Sequence, residues 1–202
     1  WGYWSISGAS RFGPTMSEYK ISWSPRCTIS AMPTRAAVTR ISDTSTSPCT
    51  DYTGKRPVAV TLRNMTGSTP QWGIASADVL VEGVTEGGTA SLMALYADVD
   101  SISRVGPVGP GRDLLLQVAL PLNAVPVHID KNIYASNLLN TLAYQDLDGY
   151  HIGKTAFAFD QDRQNAGYAE ENCWYTTAEL INSGLASYGV SLNGDNTPLF
   201  QF

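Results

Sequence analysis

The 202-residue sequence predicts an α+β fold, with a mixed central sheet flanked by helices and an extended N-terminal arm. Three observations carry this. Short β-branched runs joined by Gly turns come early in the body. Strand-like and helix-like segments alternate later. The first 53 residues differ from both: they are dense in Ser and Thr, as in "SDTSTSPCTDYTG" (42–54), and their apolar residues are scattered.

In chain order, residues 1–53 read as an arm. "YKISW" (19–23) places Tyr19, Ile21 and Trp23 on one face, which fits a strand. Trp1, Tyr3, Trp4 and Trp23 are too many large aromatics for a solvated linker, so the arm is expected to dock on its own body or on another copy. The body is expected over 54–202. "PVAVTL" (57–62) reads as a buried strand, "NMTGSTPQWG" (64–73) as a loop of turn formers, and "SADVLVEGV" (76–84) as a second strand. "EGG" (86–88) turns the chain into a third strand in "TASLMALYADV" (89–99), which makes a hairpin. "RDLLLQVAL" (112–120) predicts a helix stopped by Pro121, and "AVPVHI" (124–129) a short buried strand. "DKNIYASNLLNTLAY" (130–144) predicts a helix capped by Asp130, with Ile133, Tyr134, Leu138 and Leu142 at helical spacing. "KTAFAFD" (154–160) alternates like a strand. "TTAELINSGLASYG" (176–189) predicts a helix between a Thr176/Glu179 capping box and Gly189.

Composition narrows the function classes. No run approaches the ~20 apolar residues of a membrane helix, so no transmembrane segment is expected. The net charge of −5 is uneven. Residues 1–75 carry eight Lys/Arg against three Asp/Glu, whereas residues 76–202 carry five against fifteen. An acidic body lacks the positive footprint that phosphate backbones require, so nucleic acid is not an expected partner. The basic early segment suits packing on the acidic body or an outside acidic partner. Cys27, Cys49 and Cys173 form no C-x-x-C pair, and no zinc motif is read. A Cys27–Cys49 disulfide would tie down the arm in an oxidising compartment. Three reduced thiols are the other reading.

"RVGPVGPGRD" (104–113) resembles a phosphate-binding loop in the spacing of Gly106 and Gly111. The chemistry opposes that reading. Pro107 and Pro110 each remove a backbone donor, and Asp113 puts a carboxylate where the motif needs a hydroxyl. Arg112, at the start of a predicted helix, is better suited to holding a carboxylate or carbonyl with its guanidinium fork. His128 ends a strand beside Asp130 and is a candidate site residue or general base. Asp78, Glu82 and Glu86 recur every four residues and could rim a pocket shared with His128 and Arg112, or simply face water. There is no G-x-S-x-G elbow, and Cys173 has no sequence-local partner, so no nucleophile is read.

The segments "GKRPVAV" (54–60), "PQWGIASADVLVEGVTEGG" (70–88), "SLMALY" (91–96), "RVGPVGPGRD" (104–113), "AVPVHI" (124–129), "LDGY" (147–150) and "DRQNAGYAEENCWYTTAEL" (162–180) occur together in a distinctive order. Across about residues 54–190 the sequence resembles the N-terminal domain of the YerB-like lipoproteins, a bacterial family of unknown function. In the family pattern G-P-V-R-S-x-R, Arg112 matches the second Arg, but Gly109 stands where the first belongs. Val127 and His128 match the family's V-H. Asn172 and Tyr175 match a later segment in which Glu171 replaces a His. The resemblance implies a secreted or cell-surface protein and no established reaction or cofactor.

The expected function is therefore an extracytoplasmic binding or structural module of a bacterial cell surface. Its envelope ligand or protein partner, unidentified, would meet Glu82, Glu86, Arg112, His128 and Asn172. Two alternatives stand beside it. One is a self-assembling surface protein, homo-oligomeric through residues 1–53. The other is a hydrolase with His128 as general base.

Overall fold

The structure, a computed structural model, describes residues 2–8, 17–23 and 55–194. Cys27 and Cys49 lie outside the described residues, and so does their pairing. Nine strands and five α-helices are defined in this part of the chain: β1 (Gly2–Gly8), β2 (Ser17–Trp23), β3 (Val58–Arg63), β4 (Val79–Val84), β5 (Ala90–Tyr96), α1 (Asp113–Ala119), β6 (Val125–His128), α2 (Ile133–Leu142), β7 (Leu147–Asp148), α3 (Gly149–Ile152), β8 (Ala158–Phe159), α4 (Gln161–Asn165), β9 (Trp174–Tyr175) and α5 (Ala178–Tyr188).

β1 to β7 form one mixed sheet in the order β1-β2-β4-β5-β3-β6-β7, and β8 and β9 form a separate ribbon. The predicted β4–β5 hairpin is antiparallel, from Val79↔Leu95 to Val84↔Ala90. β3 runs antiparallel to β5 and parallel to β6, and β6 runs parallel to β7. β1 and β2 extend the sheet through backbone pairing: β1 pairs with β2, and β2 pairs with β4 from Tyr19↔Gly83 to Trp23↔Val79.

The strands are apolar where both faces are covered. From β3, Val58, Val60 and Leu62 enter one core with Tyr96, Val105, Val108, Phe157, Ile181 and Leu185, beneath α5. Ala59, between them, enters a second core with Val81, Met93 and Leu95, beneath Leu115 and Ala119 of α1. Alternate residues of a strand face opposite ways, so a strand buried on both sides reads as a continuous apolar run. α2 packs on α1 through Leu116, Ala135 and Leu139.

Several predicted boundaries shift for local reasons. Asn132, not Asp130, caps α2 by accepting from the Ala135 N–H. Asp130 takes a positive φ of 66° and turns the chain ahead of the cap. Ile133, Tyr134 and Leu142 are exposed, and the buried stripe is Ala135 and Leu139. Thr177, rather than Thr176, caps α5, while the buried Thr176 hydroxyl donates to Ala156 O at 2.7 Å. Pro121 lies within a 3-10 turn that continues α1 instead of ending it. "KTAFAFD" supplies only the two-residue β8, because its first half is a 3-10 turn and Phe157 is core.

At the carboxyl end of the parallel pair, β3 and β6 part. Their pairing runs from Val58↔Val125 to Val60↔Val127, and then the segment 105–111 passes between them. Leu62 bridges Val108, and the Gly109 N–H donates to Thr61 O at 2.8 Å. The Arg63 N–H donates to Pro107 O at 3.0 Å, and the Ile129 N–H donates to Gly109 O at 3.1 Å. The "GPVGPG" motif is thus a wedge in the sheet, bonded on both sides. The carboxyl end of parallel strands is where open α/β sheets keep their crevices.

The core under α5 gives a direct check. Ile181→Ala removes a fully buried side chain from the larger core, so stability is expected to fall by about 2–5 kcal/mol. In urea unfolding this reads as a lower midpoint at unchanged slope.

Candidate functional site

The wedge brings four polar groups of side chains to one end of the sheet. The first centres on Arg112, which precedes α1. Its Nε donates to Glu86 Oε2 at 2.8 Å, and one Nη donates to Gly111 O at 3.3 Å. Glu86, in the turn after β4, also accepts from Asn132 Nδ2 at 2.7 Å, and the same amide reaches Asp113 Oδ1 at 3.2 Å. The Asn132 hydrogen bond, with the Arg112 guanidinium adding to it, holds the Glu86 carboxyl below its usual range despite burial.

The second group lies along β4 and the loop after β3. Glu82 Oε1 accepts from Asn64 Nδ2 at 3.2 Å. Asn64 Oδ1 accepts from Gln71 Nε2 at 3.0 Å. Arg63, at the end of β3, makes no side-chain hydrogen bond or ion pair among the described residues, and its Nε is buried. Burial lowers the pKa of its guanidinium. Arg112 acts in the same direction, while Glu171 and Asp130 oppose it.

The third group surrounds Asn172. This residue is only 8% exposed, yet its side chain makes no hydrogen bond among the described residues. Its Nδ2 faces Gly67, where a Cβ would lie 3.5 Å away. The loop carrying Gly67 is fixed from below: Arg163 donates to Pro70 O at 2.8 Å and to Ser68 O at 2.7 Å. Trp72 stacks between two guanidinium groups, Arg104 at 3.8 Å and Arg163 at 4.3 Å from its ring centroid.

The fourth group is buried. His128 is 0% exposed, and its Nε2 lies 2.9 Å from Asp146 Oδ2. Lys131 Nζ bridges Asp146 at 2.9 Å and Asp148 at 2.8 Å. The ligand atoms of His128, Asp146 and Asp148 lie within 4.8 Å of one another, the spacing of a cation site, and the Lys131 ammonium supplies the positive charge among them. Asp148 Oδ1 also accepts from the Asp130 and Tyr150 N–H groups, both at 2.9 Å, which joins the loops after β6 and β7. Burial works against ionisation of Asp146, but His128 and Lys131 outweigh it and hold its carboxyl at about 2.

Of the five side chains expected to line a pocket, Glu86 and Arg112 are in direct contact. Glu82 belongs to the neighbouring Asn64 network. Asn172 follows Glu171, which acts electrostatically on Arg63. His128 lies behind Gly111, where a Cβ would come within 2.8 Å of Nδ1. Both imidazole nitrogens are buried, so neither is open to a substrate, and the general-base expectation loses its geometry. Cys173 is buried and free, and burial pushes its thiol up, which disfavours the thiolate. Sequence reasoning missed Arg63, Asn132, Lys131, Asp146 and Asp148. The signals were present in "RNM", "DKN" and "DLDG", but only the fold brings these segments together.

Residues 44–191 match the family described as "Protein of unknown function (DUF3048) N-terminal domain". The chain belongs to this family. A curated relative, the "Putative lipoprotein YerB" of Bacillus subtilis (strain 168), is 25% identical over 150 residues, covering 73% of this chain and 43% of the relative. The crystal structure of the YerB protein from Bacillus subtilis matches with a TM-score of 0.65 at 23% identity, over 73% of this chain and 49% of that one. That similarity shows the shared fold. The chain spans less than half the length of either protein.

The Asp146 cluster makes stability depend on acid. A carboxyl held at about 2 in the folded protein against 3.8 when free contributes stability in full above about pH 4, and loses it as the pH falls toward 2. Asp146→Asn is expected to lower the urea midpoint at neutral pH. Its deficit against the parent should shrink on acidification from pH 5 to pH 2, provided a folded baseline is retained.

Proposed function

We propose that this chain is an extracytoplasmic binding or structural module of a bacterial cell surface, with an arm over residues 1–53 and the module over 54–202. The ligand meets the polar cleft at the carboxyl end of β3 and β6, at Glu82, Glu86, Arg112 and Asn172, with His128 buried beneath as a positioning residue. The single observation that carries this is the parting of β3 and β6, where the wedge 105–111 leads directly into Arg112 and its contact with Glu86. Ligands of open α/β sheets meet the crevice at the carboxyl ends of the strands. The surface location is supported by the relative named as a lipoprotein. No helix of the described residues is long and apolar enough to cross a membrane.

A second reading, assembly of copies through the arm, is favoured by one observation. β1 is an outer strand of the sheet, and its sequence GYWSISG carries no charge and no proline, the usual protections of an exposed edge. Assembly by edge pairing would give an oligomer that becomes monomeric when residues 1–50 are deleted. A mass in solution that stays monomeric before and after deletion removes the reading.

For the binding reading, the full chain is titrated calorimetrically with envelope-derived glycans, peptides and divalent cations. One class is expected to bind. Arg112→Gln and Asn172→Ala should each weaken it about tenfold or more, the effect of losing a hydrogen bond to a charged or buried group. Glu179→Gln, at an exposed position of α5, should leave it unchanged. Equal affinity in all four proteins would place binding elsewhere.

A further inference from the structure

Both histidines of the chain adjoin one pair of carboxylates. Asp146 and Asp148 flank Leu147 in the segment DLDGYH (146–151), and Leu147 is fully buried. Alternate residues of a strand share a face, so the two carboxylates leave it together, opposite the core. Asp148 Oδ1 accepts from two backbone N–H groups, which leaves Oδ2 for the cluster. The Lys131 ammonium sits between Asp146 Oδ2 and Asp148 Oδ2, at 2.9 and 2.8 Å. His128 Nε2 stands 2.9 Å from that same Asp146 oxygen. On the exposed side, His151 of α3 stands with Nε2 4.0 Å from that same Asp148 oxygen.

The His128 imidazole is the group that the fold leaves unexplained. It is 0% exposed, and neither ring nitrogen makes a hydrogen bond among the described residues. Gly111 seats the ring: a Cβ there would lie 2.8 Å from Nδ1 and 3.0 Å from Cε1. Nε2 is the edge turned to the carboxylates, at hydrogen-bonding distance but without hydrogen-bonding alignment. Two donor atoms that come this close without bonding each other are arranged as neighbouring ligands of one ion. Ligands about 2.1 Å from a tetrahedral zinc ion stand about 3.4 Å apart. The donor atoms of His128, Asp146 and Asp148 all lie within 4.8 Å of one another.

We propose that His128, Asp146 and Asp148 form a binding site for a divalent transition-metal ion, zinc foremost, and that Lys131 is the resident counter-ion which the metal displaces. The ion takes the space that Nζ now holds, so it needs no further cavity. The Lys131 and Asp146 side chains keep 16% and 18% of their surface in solvent, which gives the ion its way in, while His128 backs the site from inside. Two carboxylates against one ammonium leave a net negative charge, and a divalent ion balances both. An imidazole ligand favours zinc and its neighbours over magnesium and calcium, which take oxygen sets. His151 is available at the exposed side as a fourth ligand. The inference goes beyond the cleft and does not depend on a ligand there.

The test titrates the isotope-labelled full chain with zinc chloride alone and, in parallel, with magnesium and calcium chloride, at neutral pH in a buffer that does not chelate. Zinc is expected to bind one to one, about tenfold or more tighter than the other two, and to shift the His128 ring signals. Lys131→Met removes the competing charge and should tighten zinc about tenfold or more. Asp146→Asn and His128→Gln should weaken it by as much, with amide spectra showing that each is folded. If either fails to fold, Lys131→Met and the His128 signals still decide. The site is overturned if zinc does not bind the parent, binds Lys131→Met no more tightly, or shifts His151 alone, which would mark a surface histidine only. Such a failure leaves the cleft reading standing, because Arg112→Gln and Asn172→Ala judge that reading separately.

Discussion

The structure depends on the parting of β3 and β6. Two parallel strands share three paired positions, and then a glycine- and proline-rich segment takes over their exposed hydrogen-bonding edges. An opening between strands would strand backbone donors and acceptors at a costly depth. Here the segment 105–111 satisfies both edges with its own peptide groups. Gly106 and Gly111 are required by proximity, since added carbons would meet Trp174 O and the His128 ring, and Gly109 sits tightly against the Arg63 backbone. Prolines suit the segment because a wedge bonded through alternate groups can spare a donor.

Around that wedge the polar chemistry is layered. The buried His128–Asp146–Lys131–Asp148 set joins the loops after β6 and β7 and carries its charges paired. Above it, Arg112, Glu86 and Asn132 form a partly exposed network. Among the described residues, Arg63 and Asn172 make no side-chain hydrogen bond. Buried ion pairs contribute little net stability once desolvation is counted, but removing one partner is expensive. The lower layer is therefore better understood as fixing geometry than as holding the fold together, and the upper layer is where solvent or a ligand competes.

Much of this was legible in the sequence, and the rest was not for physical reasons. β3, β4, β5, β6, α1, α2 and α5 announce themselves by periodicity and turn residues, because each must bury an apolar face. The caps slipped by one or two positions, since Asp130 and Thr176 are as good capping types as Asn132 and Thr177 and only tertiary contacts choose between them. Phe157 misled because a core aromatic in a 3-10 turn looks like part of an alternating strand. In the cleft, Glu86 and Arg112 stood out by residue type and neighbourhood. Arg63, Lys131 and Asp146 did not, because the fold sets their partners 15 to 108 residues away in sequence.

Gly109 has a last consequence. The wedge holds it so close to β3 that positions 63 and 109 draw on a single volume, filled here by the Arg63 stem. A side chain added on the wedge at 109 must displace the Arg63 stem, and a change of stem at 63 changes the room beside the wedge. Substitutions at the two positions are therefore coupled by packing, although forty-six positions separate them in sequence.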